Sequence, residues 1–368
     1  DLFSGERRGI RCTEKDGTIT FPLRLERNQS MMIVEGDKVD IPLPKPAAEK
    51  EVPLKEVSIM PEKDNNCVLD HCRLRADGNE YPERYYIETR KKLIEVRGFC
   101  NAWNGIQFKS EFLDRNNYGE GSGFEAIYNV RIKDGELPEK IYAVTERPDL
   151  MKLRGNGIDA QWTGEKHYLD YKIGKIDISS YVKEGDNEFV IWADKFDVRD
   201  EIDVLILEGE FGVDIDPETD RFIICKKPDS FTYGSLLDQK YKFYPNAFVY
   251  KYEAELDKKP ENALLVLGKH ISTAVSVKVN GKYAGIVGKD GGAHAEISDY
   301  LEAGSNSIEL RLCASFRNLY GPHLNYEDQT VADGGQFEHH SKDRVNYASE
   351  YDLVAYGLYE APKLYINK

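Results

Sequence analysis

The sequence predicts an all-β chain: two related β-sandwiches in tandem behind a β-rich N-terminal segment. Three observations carry this. The apolar residues fall in short alternating runs cut by Gly, Pro, Asn and Asp, which is strand-and-turn punctuation. The chain holds 23 Tyr and 15 Phe against 4 Met, a bias toward residues that suit a pleated, half-buried surface. A block of sequence also recurs in the same order further along the chain.

Taken in order, residues 18–25 (TITFPLRL) and 30–34 (SMMIV) read as short strands split by a turn at Asn28 and Gln29. Pro42, Pro44, Pro46, Pro53 and Pro61 then break the chain, so 36–51 reads as an irregular connection. Alternating runs follow at 85–87, 92–96, 105–108, 126–132 and 140–144, and no amphipathic helix longer than about two turns is expected. Gly119–Gly123 (GEGSG) fits neither GxGxxG nor a P-loop and reads as a flexible turn.

The repeat pairs Ile178, Ser179, Tyr181, Gly185 and Asn187 with Ile297, Ser298, Tyr300, Gly304 and Asn306. Upstream, Tyr128, Pro138 and Glu139 match Tyr250, Pro260 and Glu261. Met151–Gly155 (MKLRG) is aligned with Val277–Gly281 (VKVNG), where Asn280-Gly281 is a two-residue hairpin turn. Residues 297–301 read as a bend or single helical turn, and Ser307–Leu312 as a strand with Ile308, Leu310 and Leu312 on one face. The expected division is 1–63 for the N-terminal segment and connection, 64–214 for the first sandwich and 215–368 for the second.

Composition excludes some classes. Lys+Arg is 50 and Asp+Glu is 65, a net charge of −15. Phosphate-backbone recognition needs clustered cations, as does an anionic lipid surface, so neither nucleic acid nor membrane is an expected partner. No apolar run approaches the roughly 20 residues of a spanning helix. The six cysteines form no CxxC and are expected to be buried or half-buried free thiols. The first residue is Asp rather than Met, as expected of a fragment or processed product, so the compartment, cytoplasmic or secreted, is left open.

Several segments together resemble a known family. Residues 279–310, 315–323 (SFRNLYGPH) and 351–362 (YDLVAYGLYEAP), with 241–250, are similar to the galactose-binding-like jelly roll attached to many glycoside hydrolases. In the first copy, 69–78 (LDHCRLRADG) and 208–213 (EGEFGV) carry the same resemblance. These segments occur together in the C-terminal part of bacterial enzymes similar to family 106 α-L-rhamnosidases, after a catalytic (β/α) barrel. The resemblance covers about residues 65–368. It implies galactose-binding-like sandwiches, a glycan ligand, and a catalytic glycosidase domain of the same polypeptide as partner. The expected function is then an accessory, non-catalytic, carbohydrate-binding region of a bacterial glycoside hydrolase, the barrel being absent from this chain. Two rivals stay open: a glycosidase with its active site within the sandwiches, and a structural or protein-binding module.

Sugar recognition needs an aromatic face and a few polar groups. Trp103 and Trp162 sit in polar, turn-like surroundings and are candidates, whereas Trp192 in FVIWAD reads as core. Arg317, Asn318 and His323 form the second candidate set. Acidic pairs such as Glu111/Asp114, Asp194/Asp197 and Glu327/Asp328 are too common among 65 acids to select a catalytic dyad. Asp194 and Asp197 are the candidates for a structural calcium, the only cofactor expected. The 214–220 string (DIDPETD) reads as a solvated interdomain linker. His323, His339 and His340 lack a metal-ligand spacing, and the long polar insert 317–350 is expected to reach toward a neighbouring domain.

Overall fold

The computed structural model describes residues 48–98, 116–216, 221–288, 292–323 and 351–367, with 10, 12–21, 23 and 31–34 near the N-terminus. The regular structure among the described residues is almost wholly strand, arranged as two sandwiches of mainly antiparallel sheets, and the all-β class is as expected. Trp103, the 105–108 run, the turn at 28–29, Cys100 and the insert from 324 to 350 lie outside the described residues.

The first sandwich packs a large sheet on a small one. The large sheet runs 158–160, 152–155, 185–193, 124–132, 222–225 and 212–215, with 71–76 and 79–85 also joined to it. The small sheet runs 173–177, 141–146, 205–209 and 65–69. In the second sandwich the sheets run 282–286, 274–279, 304–313, 247–256 and 55–61, and 294–296, 263–266, 363–367 and 48–52. The small sheets repeat strand for strand, and the large sheets share the run 158–160, 152–155, 185–193, 124–132 and 71–76 with 282–286, 274–279, 304–313, 247–256 and 55–61. The repeat seen in sequence is therefore a repeat of strand pairing, to which the first copy adds 79–85, 212–215 and 222–225.

Sheet membership departs from the expected linear division. Residues 48–61 are not a connection ahead of both sandwiches. Lys55–Pro61 pairs with Ala247–Leu256, and Ala48–Val52 pairs with Lys363–Asn367. The chain lays down two strands of the second sandwich, builds the whole first sandwich, and returns. Ile59 and Val52 explain the capture: they are buried in the second core, while Pro53 confines the break to the turn between them. The 214–220 string is likewise not a linker. It joins Gly212–Ile215 to Phe222–Cys225 in one hairpin, whose tip at 217–220 is outside the described residues.

The repeat is held by a matched pair of asparagine clips. Asn306 is 1% exposed and accepts from Glu302 N while donating to the carbonyls of Glu302 and Gly304. Asn187 does the same with Lys183 and Gly185. Each clip is met by a hairpin asparagine with positive φ, Asn280 and Asn156, which donates to it and to the carbonyl of Tyr300 or Tyr181. The true partner of Asn280-Gly281 is therefore Asn156-Gly157, two residues beyond the sequence alignment of Met151–Gly155. Between them, Ser298–Tyr300 forms the expected single helical turn.

Four local expectations are corrected. Residues 92–96 are not a strand but the end of helix α1, Tyr86–Val96. Ile87, Arg90 and Ile94, with Thr89 and Leu93, are its buried face, a spacing of three and four residues, and Thr89 Oγ1 donates to Cys72 O. The glycine-rich turn is not loose. Gly121 and Gly123 both donate to Asp194 O, and a Cβ on Gly123 would lie 1.7 Å from Ala193 O. Met31–Val34 forms no strand and is exposed. Cys67, Cys72 and Cys225 are buried free thiols and Cys313 is half-buried as expected, but Cys12 is exposed.

Candidate functional site

One end of the first sandwich's small sheet faces the second sandwich. The register sets Leu205 opposite Leu69 and Ile173 opposite Glu146, so Asp70, Asp203, Glu146 and Asp170 all leave or approach strands at that end. Arg147, in the left-handed region at φ 46°, turns the chain directly after Glu146 and is fixed by a bidentate pair with Asp149. From the other half of the chain come Phe243, helix α2 (Arg317–Tyr320), His323 and Tyr351. Leu319 and Phe243, both 0% exposed, pack in the first sandwich's core. The sandwiches are thus interlocked, not strung on a linker.

At the centre lies Asp70, 2% exposed. Its Oδ1 is 2.8 Å from His71 Nδ1 and accepts the Tyr351 hydroxyl at 2.7 Å. Its Oδ2 is 2.8 Å from His323 Nε2. Burial alone would raise this carboxyl, but the hydrogen bonds from His323 and His71 outweigh it and hold Asp70 well below the usual carboxylate range. The His323 ring is wedged against Tyr351 and Tyr85, at 4.2 and 5.4 Å between centroids. Residues 253 positions apart in sequence are joined here, one from each motif that carried the family resemblance. Asp70, His71 and His323 are the one group among the described residues whose donor atoms gather closely enough for a metal ion, within 4.8 Å of one another.

Beside this knot is a rim of carboxyl groups and tyrosines. Glu146 is pushed up to about 7, by burial first and then by the charges of Asp203, Glu201 and Asp170. Its Oε2 is buried and makes no hydrogen bond. Burial likewise pushes Asp203 up to about 6, partly opposed by Arg90, which is itself paired with Glu201 at 2.7 Å. Asp200 is raised to about 6 by burial. Tyr320 of α2, 39% exposed, stands in the field of Asp203, Glu146, Tyr168 and Asp170, and its phenol is raised, mainly by burial. Tyr168, 48% exposed, bonds Asn246 across the junction and lies under the Lys63 ammonium. Ring faces and carboxyl groups whose neutral form is favoured by burial therefore share one edge.

The other predicted residues fall as follows. Trp162 anchors a loop: its Nε1 donates to Glu165 O, Lys166 sits over its ring, and it fills the notch that Gly174 leaves. Trp192 is not core. It faces outward, half-buried under Lys152 and Arg154. Arg317 donates to Gly321 O and reaches Asp352. Asn318 is a clip, bonded to the carbonyls of Lys242 and Val354 and to Val354 N. A cavity of about 210 Å³ opens beside it between Tyr244, Thr273 and Tyr356, below the roughly 300–1,000 Å³ of typical ligand pockets. Asp194 pairs with Lys152, and Asp197 with Arg199 and Asn116, so the two carboxylates engage different partners. Of the predicted residues, the structure brings Arg317, Asn318 and His323 to the junction, while Trp162 is engaged in its own loop against Gly174 and Pro148. Sequence reasoning missed Asp70, His71, Tyr351, Glu146, Asp203 and Tyr320. Four of them carried a signal, Asp70 and His71 inside the 69–78 motif, Tyr320 inside 315–323 and Tyr351 at the head of 351–362, whereas Glu146 and Asp203 carried none.

No protein-family model matches the sequence, and no curated protein matches it. Among solved structures the chain is similar to a β-D-mannosidase from Dictyoglomus thermophilum, at 10% identity and TM-score 0.25, over 73% of this chain and 32% of that one. It is similar to a glycosyl hydrolase family 2 member from Bacteroides cellulosilyticus, at 10% and 0.28, over 68% and 32%. A rhamnosidase from Novosphingobium sp. follows at 12% and 0.25, over 76% and 26%. The chain spans about a third or less of the length of these structures, and at such scores they fix neither its topology nor its activity.

Proposed function

We propose that this chain is a carbohydrate-recognising, non-catalytic region of a glycoside hydrolase, and that the sugar lies along the Tyr320–Glu146 rim between the sandwiches. The observation that supports the reading most is the composition of that rim. Half-exposed tyrosines supply faces for the apolar side of a sugar ring. Glu146 and Asp203, poised between neutral and ionised, supply donors and acceptors for hydroxyls. The resemblance of residues 65–368 to galactose-binding-like jelly rolls points the same way.

The test is a thermal-shift and calorimetric screen of mono- and oligosaccharides, rhamnose, galactose and uronic acids included. A binder at 100 times its Kd is expected to stabilise the protein by about 2.7 kcal/mol. Tyr320→Ala is expected to abolish the shift and Trp162→Phe to leave it intact. A binder whose shift survives Tyr320→Ala would move the site elsewhere. A panel without any shift would leave the sandwiches as braces for a catalytic domain. The raised pair Glu146 and Asp203 also gives the catalytic rival its one specific observation. Hydrolysis of an aryl glycoside that disappears in Glu146→Gln would establish it in place of the binding reading.

A further inference from the structure

We infer that Asp70, His71 and His323 form a binding site for a divalent transition-metal ion, and that the ion staples the two sandwiches together. The donor set is two imidazole nitrogens and one carboxylate oxygen, which suits Zn²⁺, Co²⁺ or Ni²⁺ better than the oxygen-seeking Ca²⁺. The three donor atoms lie within 4.8 Å of one another. Around a tetrahedral ion, donors at zinc-ligand distances are spaced by about 3.4 Å, so shifts of an ångström or so seat all three.

The surroundings are those of a built site. Asp70 and His323 are 2% and 4% exposed, so the carboxylate is a buried anion that a cation would neutralise where water cannot. Tyr351 donates to Asp70 Oδ1 at 2.7 Å and would orient the carboxylate from outside the coordination sphere. Tyr85 and Tyr351 fix the His323 ring. The His71 side chain is 31% exposed, which gives the ion a path in and leaves a position for water. Binding requires each imidazole to turn a lone pair to the ion, so the protons now shared with Asp70 leave those nitrogens. The ligands come from both halves of the chain, so the ion is held only by the assembled fold.

The experiment titrates the metal-free chain with Zn²⁺ by calorimetry and with Co²⁺ by visible absorption. The expected result is one ion per chain, a Co²⁺ d–d band, and a rise in Tm with Zn²⁺. In His71→Gln the band and the Tm rise should be lost, and in Tyr351→Phe the affinity should fall about tenfold. His71 is the decisive position because it is partly exposed and its replacement leaves the buried Asp70–His323 bond in place; His323→Gln is the second variant. The chain has seven histidines, so adventitious binding must be told apart. Saturable binding that is unchanged in His71→Gln, or no 1:1 binding by the unaltered chain, would overturn the inference.

Discussion

At the residue scale, a few buried polar side chains do work that no apolar residue could. Asn306 closes a turn with three hydrogen bonds and receives a fourth from Asn280. Removing the amide orphans buried groups at about 1–3 kcal/mol each, so Asn306→Ala is expected to cost about 2–4 kcal/mol. Asn187→Ala should cost a similar amount, read from urea midpoints. Glu146 acts through its titration. Its carboxyl sits at about 7 in the fold against an ordinary 4.5, so the native state holds more protons than the unfolded chain between those values. Stability should therefore fall as pH rises from about 4.5 to 7 and level off above. Asp203 and Asp200, at about 6, add to the same trend. Glu146→Gln should flatten the slope, matching the parent near pH 4.5 and exceeding it at pH 8; identical slopes would exclude Glu146 as the source. The asparagines were legible because the repeat displays them twice. Glu146 was not, because nothing in a sequence with 65 acidic residues marks the one that a fold will bury.

At the element scale, what was legible is the pairing unit and what was not is its context. Strands such as Phe124–Ile132 and Gly304–Cys313 advertise themselves by alternation. Helix α1 does not: its run 92–96 (KLIEV) is as good a strand as a helix end until Ile87 and Arg90 are placed on the same face. The glycine-rich turn misled for a different reason. Glycine reports a backbone need, and here the need is close approach, not freedom. Gly123 lies against the Ala193 carbonyl, which ties the start of the Phe124 strand to the end of the Gly185–Ala193 strand. A methyl group there meets backbone that cannot yield. Gly123→Ala is expected to destabilise by about 3 kcal/mol or more, at the upper end of overpacking costs. Gly119→Ala, where nothing lies within 4 Å, should be close to neutral. Thermal melts of the two variants make the comparison, and equal losses would refute the packing account.

At the scale of the whole molecule, the first sandwich is an insertion into the second. Short-range patterns cannot reveal this, since alternation says that 55–61 is a strand but not which of two similar sheets it joins. The consequence is a difference in autonomy. Residues 64–226 contain every strand of the first sandwich, whereas 228–368 lacks two strands of the second, with Val52 and Ile59 of its core. Expressed alone, 228–368 would bare the edges of both sheets, a state prone to aggregation. Supplying 47–62 through a flexible linker of ten residues, which spans up to about 33 Å, should restore a folded sandwich. The first sandwich alone should fold but at a loss, because Leu319 and Phe243 no longer cap its core. In the intact chain that same loss is expected from Leu319→Ala, at about 2–4 kcal/mol for a buried leucine. Far-UV circular dichroism and calorimetry on the three fragments and the variant decide the matter. If 228–368 folds without 47–62, strand pairing across the insertion does not hold the second sandwich together. If Leu319→Ala leaves the intact chain unfolding in one unshifted transition, the interlock between the sandwiches carries no stability.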